Sequence, residues 1–137
     1  MADFLEKEKR SEIMSRIRSK ETKAELVAFS YLRKENIYFQ KHYKRAPGNP
    51  DIALPRKKRV VFIDGDFWHG REYRKTIARL PEGYWKEKIK RNHKRDLLYN
   101  KELNESGWSF LRVWESDINR KRTRDAELQK IKDFLTS

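Results

Sequence analysis

The sequence predicts an α/β fold, a mixed sheet with helices packed on both of its faces. Three observations carry this. Segments 37–43, 51–54, 59–64 and 107–116 are short runs with strand character, and segments 19–36, 82–105 and 125–136 hold apolar residues at helical spacing. Their order of helix, three strands, helix, strand, helix fits a layered mixed sheet. A chain of 137 residues without a Gly/Ser/Pro linker or internal repeat is one domain with one core.

Residues 1–18 are highly charged, with weak apolar spacing at Ile13, Met14 and Ile17. They read as a basic helix or arm, either touching DNA or simply solvated. In "SKETKAELVAFSYLRKEN" the Thr22-x-x-Glu25 pair is a capping box, and Ala24, Val27, Ala28 and Tyr31 form an apolar stripe widened by Leu26, Phe29 and Leu32. "IYFQKHY" reads as a strand and "RAPGNP" as the turn after it. "DIAL" and "RVVFID" follow as strands joined by the basic turn "PRKK". In "EGYWKEKIKRNHKRDLLYNKELNE" the residues Trp85, Ile89, Asn92, Asp96, Tyr99 and Leu103 fall on one helical stripe, so Asn92 and Asp96 face the core and need partners. They would brace the site or form a purely structural network. "GWSFLRVWES" is the last strand and "DAELQKIKDFLT" the last helix.

Thirty-four Lys and Arg against 21 Asp and Glu give a formal charge of +13, which favours a polyanion. Nucleic acid is the stronger expectation: no apolar run approaches the roughly 20 residues of a membrane span, and the N-terminus lacks a secretory h-region. A soluble intracellular protein is expected. With no cysteine and only His42, His69 and His93, thiolate zinc is excluded and a histidine-based structural zinc site is disfavoured, so any metal is expected to be a hard cation held by oxygen.

The stretch "RVVFIDGDFWHG" carries an apolar strand into Asp64, Asp66 and His69, with Phe67 and Trp68 between them. If 55–58 is a hairpin loop, residue 54 faces 59, Asp51 faces Phe62, and Asp64 lies diagonally across from Asp51 on the same face. Carboxylates about 6–8 Å apart there could hold Mg²⁺, or serve only as strand-end hydrogen-bond acceptors. His69 would act as a general base or proton shuttle, unless it is an inert loop histidine. Phe67 and Trp68, and likewise Tyr84 and Trp85, either stack on DNA bases or cap the core. Glu25 is either a helix cap or a catalytic acid, and spacing does not separate the two.

Taken together, Glu25, "PGNPD" ending in Asp51, "VFIDGDFWHG", "YWKEKIKRNHKRD" and "GWSFLRVWES" resemble, in order and spacing, the very-short-patch repair (Vsr) mismatch endonucleases over roughly residues 9–118. The resemblance implies one endonuclease domain with a restriction-endonuclease-like core, a mixed central sheet flanked by helices. It also implies a Mg²⁺-dependent enzyme that nicks one strand at a T:G mismatch. By similarity, Asp51 and the carbonyl of Ile63 hold the metal, His69 activates water, and Glu25 assists. Phe67, Trp68 and Trp85 match the intercalating aromatics, and Asn92 and Asp96 match polar positions bordering the site. Asp64 stands where members of the family carry His or Asp, and as Asp it resembles the second metal-binding acid of the wider nuclease superfamily. The superfamily lysine two residues later is Asp66, which puts more weight on His69.

The family's structural zinc is bound by cysteines and a histidine. Those places match Asp66, Arg71, Tyr73 and Ser116, so no structural zinc is expected, and packing or ion pairs such as Asp66 with Arg71 would replace it. The expected substrate is double-stranded, mismatched DNA, and the expected setting is the bacterial cytoplasm at the nucleoid. The protein is expected to be monomeric, with mismatch-repair proteins as partners and no membrane association. The alternatives are a restriction-type or defence nuclease of the same fold and a non-catalytic DNA-binding protein. An RNA-directed module has no signature in support.

Overall fold

The computed structural model describes residues 21–67 and 69–137; the basic arm at 1–18 and Trp68 lie outside the described residues. The described elements are α1 (Lys23–Lys34), β1 (Gln40–Lys41), β2 (Ile52–Leu54), β3 (Arg59–Asp64), α2 (Tyr73–Arg79), α3 (Tyr84–Glu105), β4 (Ser109–Trp114), α4 (Glu115–Asn119) and α5 (Lys121–Thr136). The four strands form one sheet in the order β1-β2-β3-β4, antiparallel except for the parallel β3–β4 pair. It is the mixed, helix-flanked sheet expected of the restriction-endonuclease-like core.

The sheet is buried on both faces because β3 is apolar at consecutive positions. On one face Ile52, Val61, Ile63 and Val113 pack with Ala28, Phe29 and Leu32 of α1 and with Leu128, Ile131 and Leu135 of α5. On the other, Ala53, Val60 and Phe62 meet Leu103 of α3, with Tyr43, Trp108 and Phe110 at the margin. Strand alternation then settles the direction of the acids. Leu54 pairs with Arg59 and Ile52 with Val61, so Asp51 lies opposite Phe62, on the α3 face shared with Asp64.

Several elements differ from expectation. The strand at 37–43 shrinks to Gln40–Lys41 because His42 takes a left-handed conformation (φ 48°). The chain there still follows β2 irregularly, His42 N–H bonding Asp51 O at 3.0 Å and Tyr43 N–H bonding Pro50 O at 2.9 Å. Helix α2 was not expected, since it buries no residue and shows no apolar period. Residues 115–116, read as the end of a strand, instead begin the short helix α4, and α5 begins at Lys121 rather than at 125.

Gly48 lets the "PGNP" turn close over the site. At φ +85°, a Cβ there would come within 3.0 Å of the Phe62 ring. Among the described residues, no helix is long and apolar enough to cross a membrane.

Candidate active site

A cavity of about 420 Å³ opens where β2 begins and β3 ends, between the start of α1 and the middle of α3. Glu25, Asp51, Ile63, Asp64, His69, Arg95, Asp96, Arg112 and Glu115 line it. The predicted acids and the loop histidine therefore share one space, and the donors within it fall into two groups.

The first group is Glu25, His42 and Asp51, whose ligand atoms lie within 4.8 Å of one another. Glu25 is the third residue of α1, and the capping box is real: Thr22 N–H donates to Glu25 Oε2 at 2.7 Å, and Glu25 N–H donates to Thr22 Oγ1 at 3.3 Å. The cap does not exhaust the carboxylate, because His42 Nε2 lies 3.2 Å from Oε1. Asp51 Oδ2 accepts the Ile63 N–H at 2.7 Å. Burial pushes the Asp51 carboxyl well above the usual carboxylate range, and the neighbouring Glu25 pushes it further. Burial opposes the Glu25 charge too, yet hydrogen bonds from Asp51, Thr22 and His42 hold Glu25 below its ordinary value. Without a cation, the pair is best satisfied with a proton on Asp51. Oxygen donors under such mutual repulsion fit a hard divalent cation, which would relieve it. The Ile63 carbonyl faces the same strand edge as its N–H, past the end of β2 and beside Asp51.

The second group is Asp64, His69 and Asp96. His69 Nδ1 lies 2.5 Å from Asp96 Oδ2 and 3.8 Å from Asp64 Oδ1. A carboxylate on Nδ1 holds its proton there and leaves Nε2 as the nitrogen able to take one. Asp96 thus orients the imidazole. Asn92, one turn earlier on α3, is buried and accepts a hydrogen bond from Arg95 at 2.6 Å.

Asp64 stands in this second group rather than with Glu25 and Asp51. Both its oxygens lie 3.1 Å from Arg112 Nη1. Burial still keeps the Asp64 carboxyl above its ordinary value, although His69 and Arg112 pull it down. Glu115, half-buried at the start of α4, is also raised, by burial and then by Glu25.

Phe67, Tyr84 and Trp85 gather at one spot on the surface. Trp85 meets Phe67 edge-on at 6.5 Å and Tyr84 at 5.0 Å between ring centroids. Phe67 is 37% and Tyr84 57% exposed, so neither acts as a core cap.

The four positions matched to zinc ligands do not form a metal site. Arg71 Nη1 donates to Ser116 Oγ and Asp117 Oδ1, both at 2.9 Å, and to Asp66 Oδ2 at 3.3 Å. Asp66 in turn accepts from the N–H of Ser116 at 3.1 Å and from its hydroxyl at 2.5 Å. A guanidinium at the centre repels a cation, so the donor set does not fit zinc. Tyr73 turns away from this network and stacks on His93, with the ring centroids 3.8 Å apart.

Sequence reasoning missed Arg95 and Glu115 on the cavity wall, and also His42 and Arg112. His42 was noted only as a scattered histidine; its signal was its place at a strand end opposite the Asp51 strand. Arg112 carries no local signal beyond its place between Leu111 and Val113 on β4, where a cation turned toward the sheet face must find partners.

Comparison with known proteins bears on the chain as a whole. The family model described as DNA mismatch endonuclease Vsr matches residues 2–75. The Type II nicking enzyme V.XorIIP of Xanthomonas oryzae is 36% identical over 97% of this chain and 98% of its own length. The Type II nicking enzyme V.NmeAIP of Neisseria meningitidis is 38% identical over 88% of this chain and 87% of its own. The DNA mismatch endonuclease Vsr of Escherichia coli is 30% identical over 98% of this chain and 88% of its own. With the family model spanning more than half the residues and these relatives nearly all of them, the chain belongs to the Vsr DNA mismatch endonuclease family and is a DNA endonuclease.

Proposed function

We propose that this endonuclease nicks one strand of double-stranded DNA at a T:G mismatch in a Mg²⁺-dependent hydrolysis. The observation that carries the reading is the shared cavity. Two acids, Glu25 and Asp51, close enough to suit a divalent cation stand beside an imidazole oriented by Asp96.

Asp51, with Glu25 and the Ile63 carbonyl beside it, would hold Mg²⁺, which supplies positive charge against the phosphate oxygens. The remaining roles belong to the chain. His69 Nε2 takes the proton of the attacking water, and Asp96 stabilises the imidazolium that results. Glu25 keeps Asp51 in place and is itself oriented by Thr22 and His42. Arg95, on the cavity rim, meets the DNA backbone.

Phe67, Tyr84 and Trp85, with Trp68 as a further candidate, serve as wedges. Unstacking a mismatched step costs less than unstacking a paired one, so a wedge turns a weak pair into a binding preference.

A second reading has its own support. The Xanthomonas and Neisseria relatives are named Type II nicking enzymes, which favours a nicking enzyme associated with restriction-type systems. Matched duplexes differing only in one T:G pair, incubated with Mg²⁺ and mapped at nucleotide resolution, test both. One nick beside the mismatched thymine supports mismatch recognition, whereas equal cutting of the paired duplex overturns it.

A further inference from the structure

Asp51 and Asp64 line one cavity without sharing a donor group, and the side chain beside Asp64 suggests why. Arg112 extends from β4 on the face of the sheet that carries Phe62, its Cα opposite that of Phe62 in the parallel register. Its guanidinium lies over the Phe62 ring, 4.0 Å from the centroid. Nε donates to Asn100 Oδ1 on α3 at 2.8 Å. Nη1 reaches both oxygens of Asp64 at 3.1 Å and comes within 3.9 Å of Asp96 Oδ1. Nη2 is buried with no hydrogen-bond partner among the described residues, and the contact with the aromatic ring offsets part of that cost. One cation is thus fixed by β3, β4 and α3 together.

A carboxylate with both oxygens on a buried guanidinium is poorly placed to bind a metal, because a second cation would meet the first at short range. The same guanidinium reaches Asp96, whose other oxygen holds His69. Without Arg112, Asp64 and Asp96 would face each other uncompensated. Asp64, already 3.8 Å from His69 Nδ1, would then compete with Asp96 for the imidazole.

We propose that Arg112 is a positioning residue for the nicking reaction: it takes Asp64 as its counter-ion and braces Asp96, which fixes the orientation of His69 and leaves metal binding to Asp51. The inference rests on the metal-dependent reading above and assigns Asp64 a role other than metal ligand.

The test combines two readouts on the full chain. Mn²⁺ binding without DNA is followed by electron paramagnetic resonance, and nicking of a T:G duplex in Mg²⁺ gives kcat and KM. Asp51→Asn should weaken Mn²⁺ binding by about tenfold or more, whereas Asp64→Asn should leave it within about twofold of the wild type. Arg112→Met should lower kcat by about tenfold or more at nearly unchanged KM. Adding Asp64→Asn to Arg112→Met should restore most of that loss, because the competing acid is then gone.

Mn²⁺ binding weakened about tenfold in Asp64→Asn makes Asp64 a ligand and overturns the inference. A double variant no faster than Arg112→Met overturns it as well. Should Arg112→Met lose its thermal unfolding transition, the Mn²⁺ titration of Asp64→Asn decides alone. Undiminished Mn²⁺ binding in Asp51→Asn instead refutes the metal assignment itself, which separates the two failures.

Discussion

At the scale of single residues, burial and Glu25 keep the folded-state pKa of Asp51 above its unfolded value, so the fold prefers this acid protonated. Its stabilising contribution is complete below the unfolded value near pH 4 and is lost as pH rises through the raised folded one. In metal-free buffer, Asp51→Asn should therefore raise the melting temperature at pH 8 more than at pH 4. Added Mg²⁺ should stabilise the wild type and leave the variant unmoved. A melting temperature for Asp51→Asn that falls at pH 8 contradicts this. His69 is governed by Asp96, and Asp96→Asn offers Nδ1 an amide that supports the wrong tautomer. That variant should lose about 10²–10⁴ in kcat with DNA affinity preserved. A variant within threefold of the wild type, roughly 0.6 kcal/mol, removes Asp96 from the mechanism.

At the scale of elements, the loop between β3 and α2 presents Phe67 to Tyr84 and Trp85 at the start of α3. Phe67→Ala and Trp85→Ala should each reduce the preference for T:G over paired duplex by about 1–3 kcal/mol while leaving cleavage chemistry intact. Equal loss on both substrates would mean that the rings only support the fold. The same loop is tied to α4 by Arg71, Asp66, Ser116 and Asp117. Arg71 is partly exposed, so solvent weakens the network, and Arg71→Ala should cost about 1 kcal/mol, or roughly 3–5 °C. In buffer without added metal, EDTA should leave the melting temperature unchanged; a fall on chelation would point to a bound structural metal.

The elements also show what the sequence made legible. The β2–β3 register follows from the four-residue "PRKK" turn and places Asp51 opposite Phe62 as the alternation predicts. The α3 stripe correctly marked Ile89, Asn92 and Leu103 as buried. Both readings rest on periods of 2 and 3.6, which local chemistry fixes. Helix α2 carries no such period, and β1 ends at a left-handed His42 that no pattern announces. The Asp64–Arg112 ion pair was illegible for another reason. Its partners lie 48 residues apart and meet only through the parallel β3–β4 pairing. Long-range charge pairing leaves no local signature.

At the scale of the whole molecule, a net charge of +13 surrounds a cavity lined by five acids, Glu25, Asp51, Asp64, Asp96 and Glu115. The basic surface favours a polyanion, and on the metal-dependent reading a cation would offset the central acids as a phosphate approaches. Binding and chemistry should thus respond to different variables. DNA affinity should fall by about 10²-fold or more between roughly 50 and 200 mM salt, with or without Mg²⁺. Cleavage alone should need the divalent ion and Asp51. The most direct measurement is nicking of a T:G duplex in Mg²⁺ by the wild type and by Asp51→Ala, with binding of the same duplex measured in parallel. The account predicts that Asp51→Ala binds with unchanged salt dependence and leaves the strand intact; a variant that still nicks at the wild-type rate contradicts it.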